Sequence, residues 1–440
     1  MLVLEHDGPS PPLPEHLERR GRALVPRIEL AGEQSPSLSA PERRAHLACA
    51  PPPGHRRVTL RPLLVVSPLD GSGPGMVMTT LALQLKARGI EPLLVATHGP
   101  KSSPLIDQAE AGGVEVVNLD MKAMVDPRGA ASFVRMLRRW RADVVHSRTV
   151  RADLLGRLAA GAGIPVINNI VNLYPEDCLV RLGPVLGRAT MSVLRQTRGA
   201  VRLFVANARA VASNTQAAFN VAADRVGVVY DGLPLEPWTG ATPADLSSVG
   251  VGRQDTVCLT VARLHPQKGI EDLVLAAQAV KTKRDDIRFV VAGDGPMRAE
   301  LTRQITSVGL ENHVILLGER RDVPNLLARC SLFVLPSRFE GFPSAVIEAM
   351  AAQRAVVATG VAGVPELVED GVTGWVVEVG SPAVLAETIL GALDDNLEPF
   401  EKAGRRRVEE RFSAAAMTDG FLSAYDAVLR SRDTDSIAPA

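Results

Sequence analysis

Short apolar runs, each closed by a glycine- or proline-bearing loop and followed by a helical stretch, recur from Val58 to about residue 430. That cadence limits what the chain can fold into. Runs such as Leu63-Leu64-Val65-Val66 and Leu332-Phe333-Val334-Leu335 have no polar face. Strands of that kind must be covered on both sides, as in a parallel sheet held between helical layers. The first series is Leu60–Val66, Leu93–Ala96, Val114–Asn118, Val144–His146, Pro165–Asn168, Leu203–Ala206 and Val228–Tyr230, with Pro62 confining the first strand to its start. The second is Cys258–Ala262, Arg288–Ala292, Val314–Leu317, Leu332–Leu335, Ala355–Ala358 and Trp375–Glu378. The expected fold class is α/β, with two doubly wound domains at 58–240 and 241–413 facing a cleft. Asp231 to Pro243 reads as a linker, and a helix from Ala414 to Arg430 crosses back onto the first domain ahead of a short tail. Residues 1–57 contain ten prolines and no sustained period, and read as a disordered leader with no assigned function.

At 440 residues the chain can bury more than one core. Its formal net charge of zero conceals an asymmetry. Residues 58–240 carry 20 Lys and Arg against 14 Asp and Glu, whereas residues 241–440 carry 21 against 28. The first half is therefore the better surface for anionic partners. Cys49, Cys178, Cys258 and Cys330 are widely spaced, with no CxxC pair, and read as reduced, mostly buried thiols. Without a basic segment and apolar core at its start, or a run long enough to span a bilayer, the chain reads as cytoplasmic, any membrane association being peripheral.

The chemistry gathers at Phe339-Glu340-Gly341-Phe342-Pro343-Ser344-Ala345-Val346-Ile347-Glu348, directly after an apolar strand. Pro343 and Ser344 signal a helix start, which places Glu348 on the second turn with its carboxylate leaning back over the loop. Glu340 and the free N–H groups near residues 342–345 would face the same space. Two acceptor-only carboxylates beside several backbone donors suit a polyhydroxylated ligand. A glutamate near a helix start also gains from the macrodipole alone. Arg263 and Lys268 flank the turn after the second domain's first strand, and a guanidinium fork plus a point charge is what a diphosphate needs. Gly293 and Asp294 form another strand-end turn able to pass close to a phosphate or ribose, although Asp294 could simply cap the next helix. The loop carrying Arg320 could meet a base edge or be an ordinary connection. In the first domain, Gly71-Ser72-Gly73-Pro74-Gly75 is either an anion-binding loop or a plain tight turn.

In order and spacing these elements resemble the retaining glycosyltransferases of family 4, which have the GT-B fold of two Rossmann-like domains. Arg263-Leu264 with Lys268-Gly269, Ala292-Gly293-Asp294-Gly295-Pro296, the Glu340/Glu348 pair and Gly363-Val364-Pro365-Glu366 stand in family order, and the resemblance covers about residues 58–430. It implies a hexosyltransferase that takes a UDP- or GDP-sugar as substrate, without metal or other cofactor. The acceptor would be a hydroxyl of a glycan or lipid-linked intermediate, as in polysaccharide or glycolipid synthesis, and nucleic acid is not a partner. By the same resemblance Arg263 and Lys268 bind the donor diphosphate and Gly73 or Gly75 closes on it. Glu340 lies by the donor sugar with the N–H groups of Gly341, Phe342 and Ser344, and Glu348 binds the ribose. A nucleotide-sugar epimerase on the same fold, or a silent nucleotide-sugar-binding protein, are the alternatives.

One position departs from the family. Where members often have a second histidine after the strand, this chain reads Val144-Val145-His146-Ser147-Arg148. Arginine cannot serve as a base, though it binds anions. Either His146 shifts its role at the reacting sugar with Arg148 beside it, the donor or acceptor is acidic, or activity is reduced; otherwise His146 is a buried structural residue and Arg148 a surface one. Finally, Arg181 to Arg209 holds six arginines and no acid. Arg188, Arg195 and Arg198 are expected to share a helical face turned to an anionic acceptor or to lipid headgroups, or simply to water.

Overall fold

The computed structural model describes residues 60–70 and 73–435, with side chains to 430; the expected leader, Gly71, Ser72 and the end of the tail lie outside the described residues. The first sheet contains β1 (Pro62–Val66), β2 (Leu93–Ala96), β3 (Glu115–Asn118), β4 (Val144–Arg148), β5 (Val166–Ile170), β6 (Leu203–Ala206) and β7 (Val226–Val228). All its pairings are parallel, in the order β3-β2-β1-β4-β5-β6-β7. The second contains β8 (Thr256–Val261), β9 (Ile287–Ala292), β10 (Val314–Gly318), β11 (Leu332–Leu335), β12 (Val356–Thr359) and β13 (Gly374–Val377), in the order β10-β9-β8-β11-β12-β13. Each sheet reverses its strand order once, between β1 and β4 and between β8 and β11. Open sheets present ligands at the carboxyl ends beside such a reversal.

Burial on both faces explains the unbroken apolar runs. Leu64 and Val66 of β1 pack with Met78, Leu81 and Leu85 of α1 (Gly73–Ala87), while Leu63 and Val65 pack with Phe133 and Leu137 on the other side. The start of α1 differs from the expected loop, because Gly73, Pro74 and Gly75 already form its first turn. A proline there forfeits no helical bond. A Cβ on Gly75 would lie 3.0 Å from the Pro68 carbonyl oxygen, so only glycine lets the helix begin this close to the strand end.

Four further helices matter for the site. Helix α2 (Glu176–Gln196) is bent where Gly183 adopts φ 76° ahead of Pro184. Arg198 falls outside it, in a separate turn at Arg198–Ala200, so the expected three-arginine face reduces to Arg188 and Arg195. Helix α3 (Arg209–Phe219) follows β6, α4 (Ile270–Lys281) follows β8, and α5 (Ser344–Ala351) follows β11.

The chain then returns to the first sheet. Helix α6 (Ala414–Asp435) presents Met417, Phe421, Ala424, Tyr425 and Val428, one stripe at helical spacing, to the core containing Leu64, Val66 and Val144. Outgoing and returning segments touch at the crossing, where Ala414 N–H donates to Leu233 O at 2.9 Å and Leu233 N–H to Phe412 O at 3.1 Å. A Cβ on Gly232 would sit 2.2 Å from Ser413 O, so this crossing tolerates no side chain.

Phe421 is fully buried in that stripe. Phe421→Ala should cost about 3–5 kcal/mol, read as a lower urea midpoint at unchanged slope. A loss below about 1 kcal/mol would mean that α6 does not hold the first domain together.

Candidate active site

β8 and β11 are neighbours, so the loops leaving their carboxyl ends must meet. After β8 the chain runs through Arg263 into the turn Pro266–Lys268 and then Gly269, at φ 61°. A Cβ on Gly269 would be 2.1 Å from Pro336 O, so this residue seats the turn directly on the segment after β11. Arg338 N–H donates to Gln267 O at 2.9 Å, and the Gln267 side-chain amide donates to Phe339 O at 2.9 Å. These bonds bring Lys268 Nζ to 2.5 Å from Glu340 Oε1, which also accepts from Ser337 Oγ at 2.7 Å. Glu340 is buried. The two residues read from the sequence as donor clamp and sugar neighbour are thus an ion pair.

Glu348 occupies the second turn of α5, 8% exposed, and its carboxylate makes no hydrogen bond or ion pair with any described residue. Burial raises its carboxyl pKa to about 7. A macrodipole effect would lower it, so desolvation governs this group.

The helix starts converge from the two domains. A Cβ on Gly73 would lie 3.9 Å from Ser344 Oγ, so the N-terminal turns of α1 and α5 face each other across the cleft. Their free N–H groups and dipoles favour an anion between them. Gly341 is wedged against the first domain, where a Cβ would be 2.1 Å from Val171 O. Gly363 N–H donates to Gly341 O at 3.0 Å on the other side. The Phe342 ring lies in the interdomain core, stacked on Tyr230 at 5.4 Å and edge-on to Phe412 at 5.5 Å, which leaves its backbone to a ligand. Gly293, at φ 142°, allows a backbone approach in which a Cβ would meet Ala262 O at 1.9 Å. Asp294 accepts from Gly295 N–H at 2.7 Å and pairs with Arg298, and Arg320 donates from Nε and one terminal nitrogen to the two oxygens of Asp322, so these two side chains are occupied locally.

A cavity of about 380 Å³ opens beside the ion pair, lined by Arg263, His265, Gln267 and Phe339 from the second domain and Asp177, Val180 and Arg181 from α2. Arg263 is exposed there and makes no ion pair with a described residue. The His265 pKa is lowered first by burial and then by Arg263, Arg181 and Lys268, of which Arg181 is paired with Asp177 and Lys268 with Glu340. Sequence reading missed His265, Asp177 and the cleft position of Arg181; the signal was α2 following directly on a strand of the first sheet. It also missed His98 after β2, whose Nδ1 lies 3.0 Å from Ser67 Oγ and whose pKa is lowered by burial and by Arg151.

His146 and Arg148, expected at the reacting sugar, are both buried and engaged by α6, β5 and the linker, so Arg148 is not the surface residue it could have been. With Val144 they occupy alternate positions of β4, and α6 covers that face. His146 is fully buried, its Nδ1 2.8 Å from the Tyr425 hydroxyl and its ring 4.5 Å from Phe421. Burial, and then Arg148, lower its pKa to about 3, so the imidazole stays neutral. Arg148, 2% exposed, grips Asp231 with both terminal nitrogens at 2.8 and 2.7 Å and also donates to Asn169. It fastens the end of β4 to the interdomain linker.

The Glu348 pKa yields a stability test. Its folded value of about 7 lies above the reference 4.5, so ionisation destabilises the fold as pH rises through that interval. Glu348→Gln should therefore melt higher than the wild type at about pH 8, with the gap closing as pH falls toward about 5. A gap that stays constant with pH would show that the carboxylate is not desolvated.

Two family models match the chain: Glycosyltransferase Family 4 over residues 71–237 and Glycosyl transferases group 1 over residues 244–410. The UDP-Gal:alpha-D-GlcNAc-diphosphoundecaprenol alpha-1,3-galactosyltransferase of Escherichia coli is 25% identical over 341 residues, 76% of this chain and 88% of that protein. The alpha-maltose-1-phosphate synthase of Mycobacterium tuberculosis is 30% identical over 315 residues, 64% of this chain and 79% of the synthase. Among solved structures, Anabaena HepE in complex with UDP aligns at a TM-score of 0.68 and 22% identity, covering 83% of this chain and 99% of its own. Sucrose-phosphate synthase from Thermosynechococcus elongatus aligns at 0.70 and 17%, covering 84% and 100%. With two Rossmann-like sheets and these matches to both halves, the chain belongs to the family 4 glycosyltransferases of GT-B fold.

Proposed function

We propose that this protein is a retaining hexosyltransferase that moves a sugar from a UDP-sugar, or failing that a GDP-sugar, to a hydroxyl of a glycan or lipid-linked acceptor. The observation that carries the reading is the Lys268–Glu340 pair, set at the β8/β11 reversal beside an open Arg263 and two opposed helix starts. A diphosphate in that space would meet a guanidinium, an ammonium and backbone N–H groups, which together supply the positive charge that it needs. The reading therefore assigns no step to a metal. Glu348, buried and without a partner, would accept from the ribose hydroxyls, which stabilise its charged form. Glu340 would face the donor sugar with the N–H groups of Gly341, Phe342 and Ser344. UDP is preferred because the E. coli relative is named for UDP-Gal and HepE was solved with UDP. A lipid-linked acceptor is supported by the diphosphoundecaprenol acceptor in the name of the same E. coli relative.

In the proposed reaction the bond from the anomeric carbon to the diphosphate oxygen breaks as the acceptor oxygen attacks from the same face. The acceptor proton passes to the departing diphosphate. Arg263 and Lys268 stabilise the charge developing on that leaving group, an interaction stronger in the transition state than in the ground state.

UDP, GDP and ADP can be compared by thermal shift. A nucleotide at about 100 times its dissociation constant adds about 2.7 kcal/mol, and UDP should give the largest rise. Proton NMR of the product made from an α-linked donor should show an α linkage, with turnover unaffected by a chelator. An inverted product would overturn the mechanism. Donor conversion without any acceptor would favour an epimerase, and nucleotide binding with no turnover would favour a silent binding protein.

A further inference from the structure

Helix α2 carries a surface that the donor site does not use. Of the large apolar side chains exposed on the described part of the molecule, four lie on this one helix: Val180 at 63%, Val185 at 81%, Leu186 at 50% and Val193 at 47%. Scattered single exposures are normal, but a group on one element is not. The bend at Gly183 is fixed, because Gly187 packs where a Cβ would be 2.7 Å from Cys178 O. Beyond the bend, Met191 and Leu194 face the core. Val185, Ala189 and Val193 follow each other at four-residue steps on the opposite, exposed side, with Leu186 beside them. Arg188 and Arg195 run along one edge seven residues apart. Arg195 Nε donates to Ala218 O and Arg198 donates to Arg195 O, which holds both in place without a carboxylate to neutralise them. Arg188 forms no ion pair with a described residue, and no acid occurs between Arg181 and Arg209.

This side thus has three zones: a face buried in the protein, an exposed apolar strip and an arginine edge. That is the pattern of a helix lying in the boundary of an anionic bilayer, with its apolar side chains below the headgroups and its cations among the phosphates. We propose that α2 docks the protein on an anionic lipid surface, with Val185, Leu186 and Val193 entering the acyl boundary and Arg188 and Arg195 meeting the phosphates. The charge asymmetry of the chain agrees, since the acidic second half is repelled by the surface that attracts the first. The strip also reaches the cleft, because Val180, just before the bend, lines the cavity with Arg263. Docking would hold the cleft mouth at the lipid surface, where a lipid-linked acceptor presents its sugar. That last step rests on the glycosyltransferase reading; the docking itself does not.

The full chain should float with vesicles of phosphatidylcholine mixed with phosphatidylglycerol, but not with phosphatidylcholine alone, and high salt should weaken the association. Val185→Asp combined with Val193→Asp should lower the bound fraction at least tenfold, and Arg188→Glu severalfold. These side chains are exposed, so both variants should keep the wild-type melting temperature and the same UDP-induced rise. Failure of the wild type to bind the anionic vesicles, or variants that bind as well as it does, would overturn the proposal. So would sedimentation showing a wild-type dimer that the double variant dissolves, with no vesicle binding, because the strip would then join two copies. If UDP fails to stabilise the wild type while flotation behaves as expected, the donor reading falls and the docking stands.

Discussion

The contact between Lys268 Nζ and Glu340 Oε1 organises the second domain, and the rest of the cleft is arranged about it. It exists because β8 and β11 are adjacent although two strands separate them in sequence, so that loops far apart in the chain share one crevice. Both charges are largely withdrawn from water, and such a pair gains little net stability, because desolvation offsets much of the Coulomb attraction. Its value lies elsewhere. Ser337 and the Gln267 bonds fix the carboxylate and the turn, so the ammonium is held ready beside Arg263 before any ligand arrives. In the function proposed above, an entering diphosphate would draw Lys268 from one anion to another, which would limit reorganisation.

The two domains meet through contacts that no single motif describes. Glu366 of the second domain accepts from the N–H groups of Arg209 and Ala210 at 2.9 and 3.0 Å and from the Tyr230 hydroxyl at 2.9 Å. A carboxylate from one domain thereby caps helix α3 of the other, where the helix dipole favours it. Arg148 holds Asp231 in the linker, Phe342 and Phe412 pack on Tyr230, and α6 returns beneath β4. Together these contacts keep Gly73 opposite Ser344 and make one cleft of two sheets.

Much of this was legible in the chain. Apolar runs without a polar face required parallel strands covered on both sides, and the glutamate pair after one such strand marked the crevice. What escaped was three-dimensional. The α1 start at Gly73 depends on backbone crowding near Pro68, and Gly-Pro-Gly in sequence looks like a loop. The family resemblance points to His146 and Arg148 as site residues, yet His146 meets α6, a helix almost three hundred residues later in the chain, and Arg148 is taken up by Asp231 and Asn169. Glu366 could be recognised as part of a motif, but the helix it caps belongs to the other domain. Arg181 stands in the sequence only as the start of a basic run and Val180 carries no signal at all, since the bend at Gly183 decides which residues of the helix reach the cleft. Local pattern fixed the elements; contacts between distant segments determined the roles.

The most direct test is calorimetric titration of UDP into the wild type, Lys268→Met and Glu340→Gln. If Lys268 is a diphosphate ligand held in reserve by Glu340, Lys268→Met should weaken UDP binding by at least about tenfold, or about 1.4 kcal/mol. Glu340→Gln, which releases the ammonium, should bind UDP as tightly as the wild type or more so while losing transfer. Equal binding by all three proteins, or a loss in Glu340→Gln as large as that in Lys268→Met, would contradict the account.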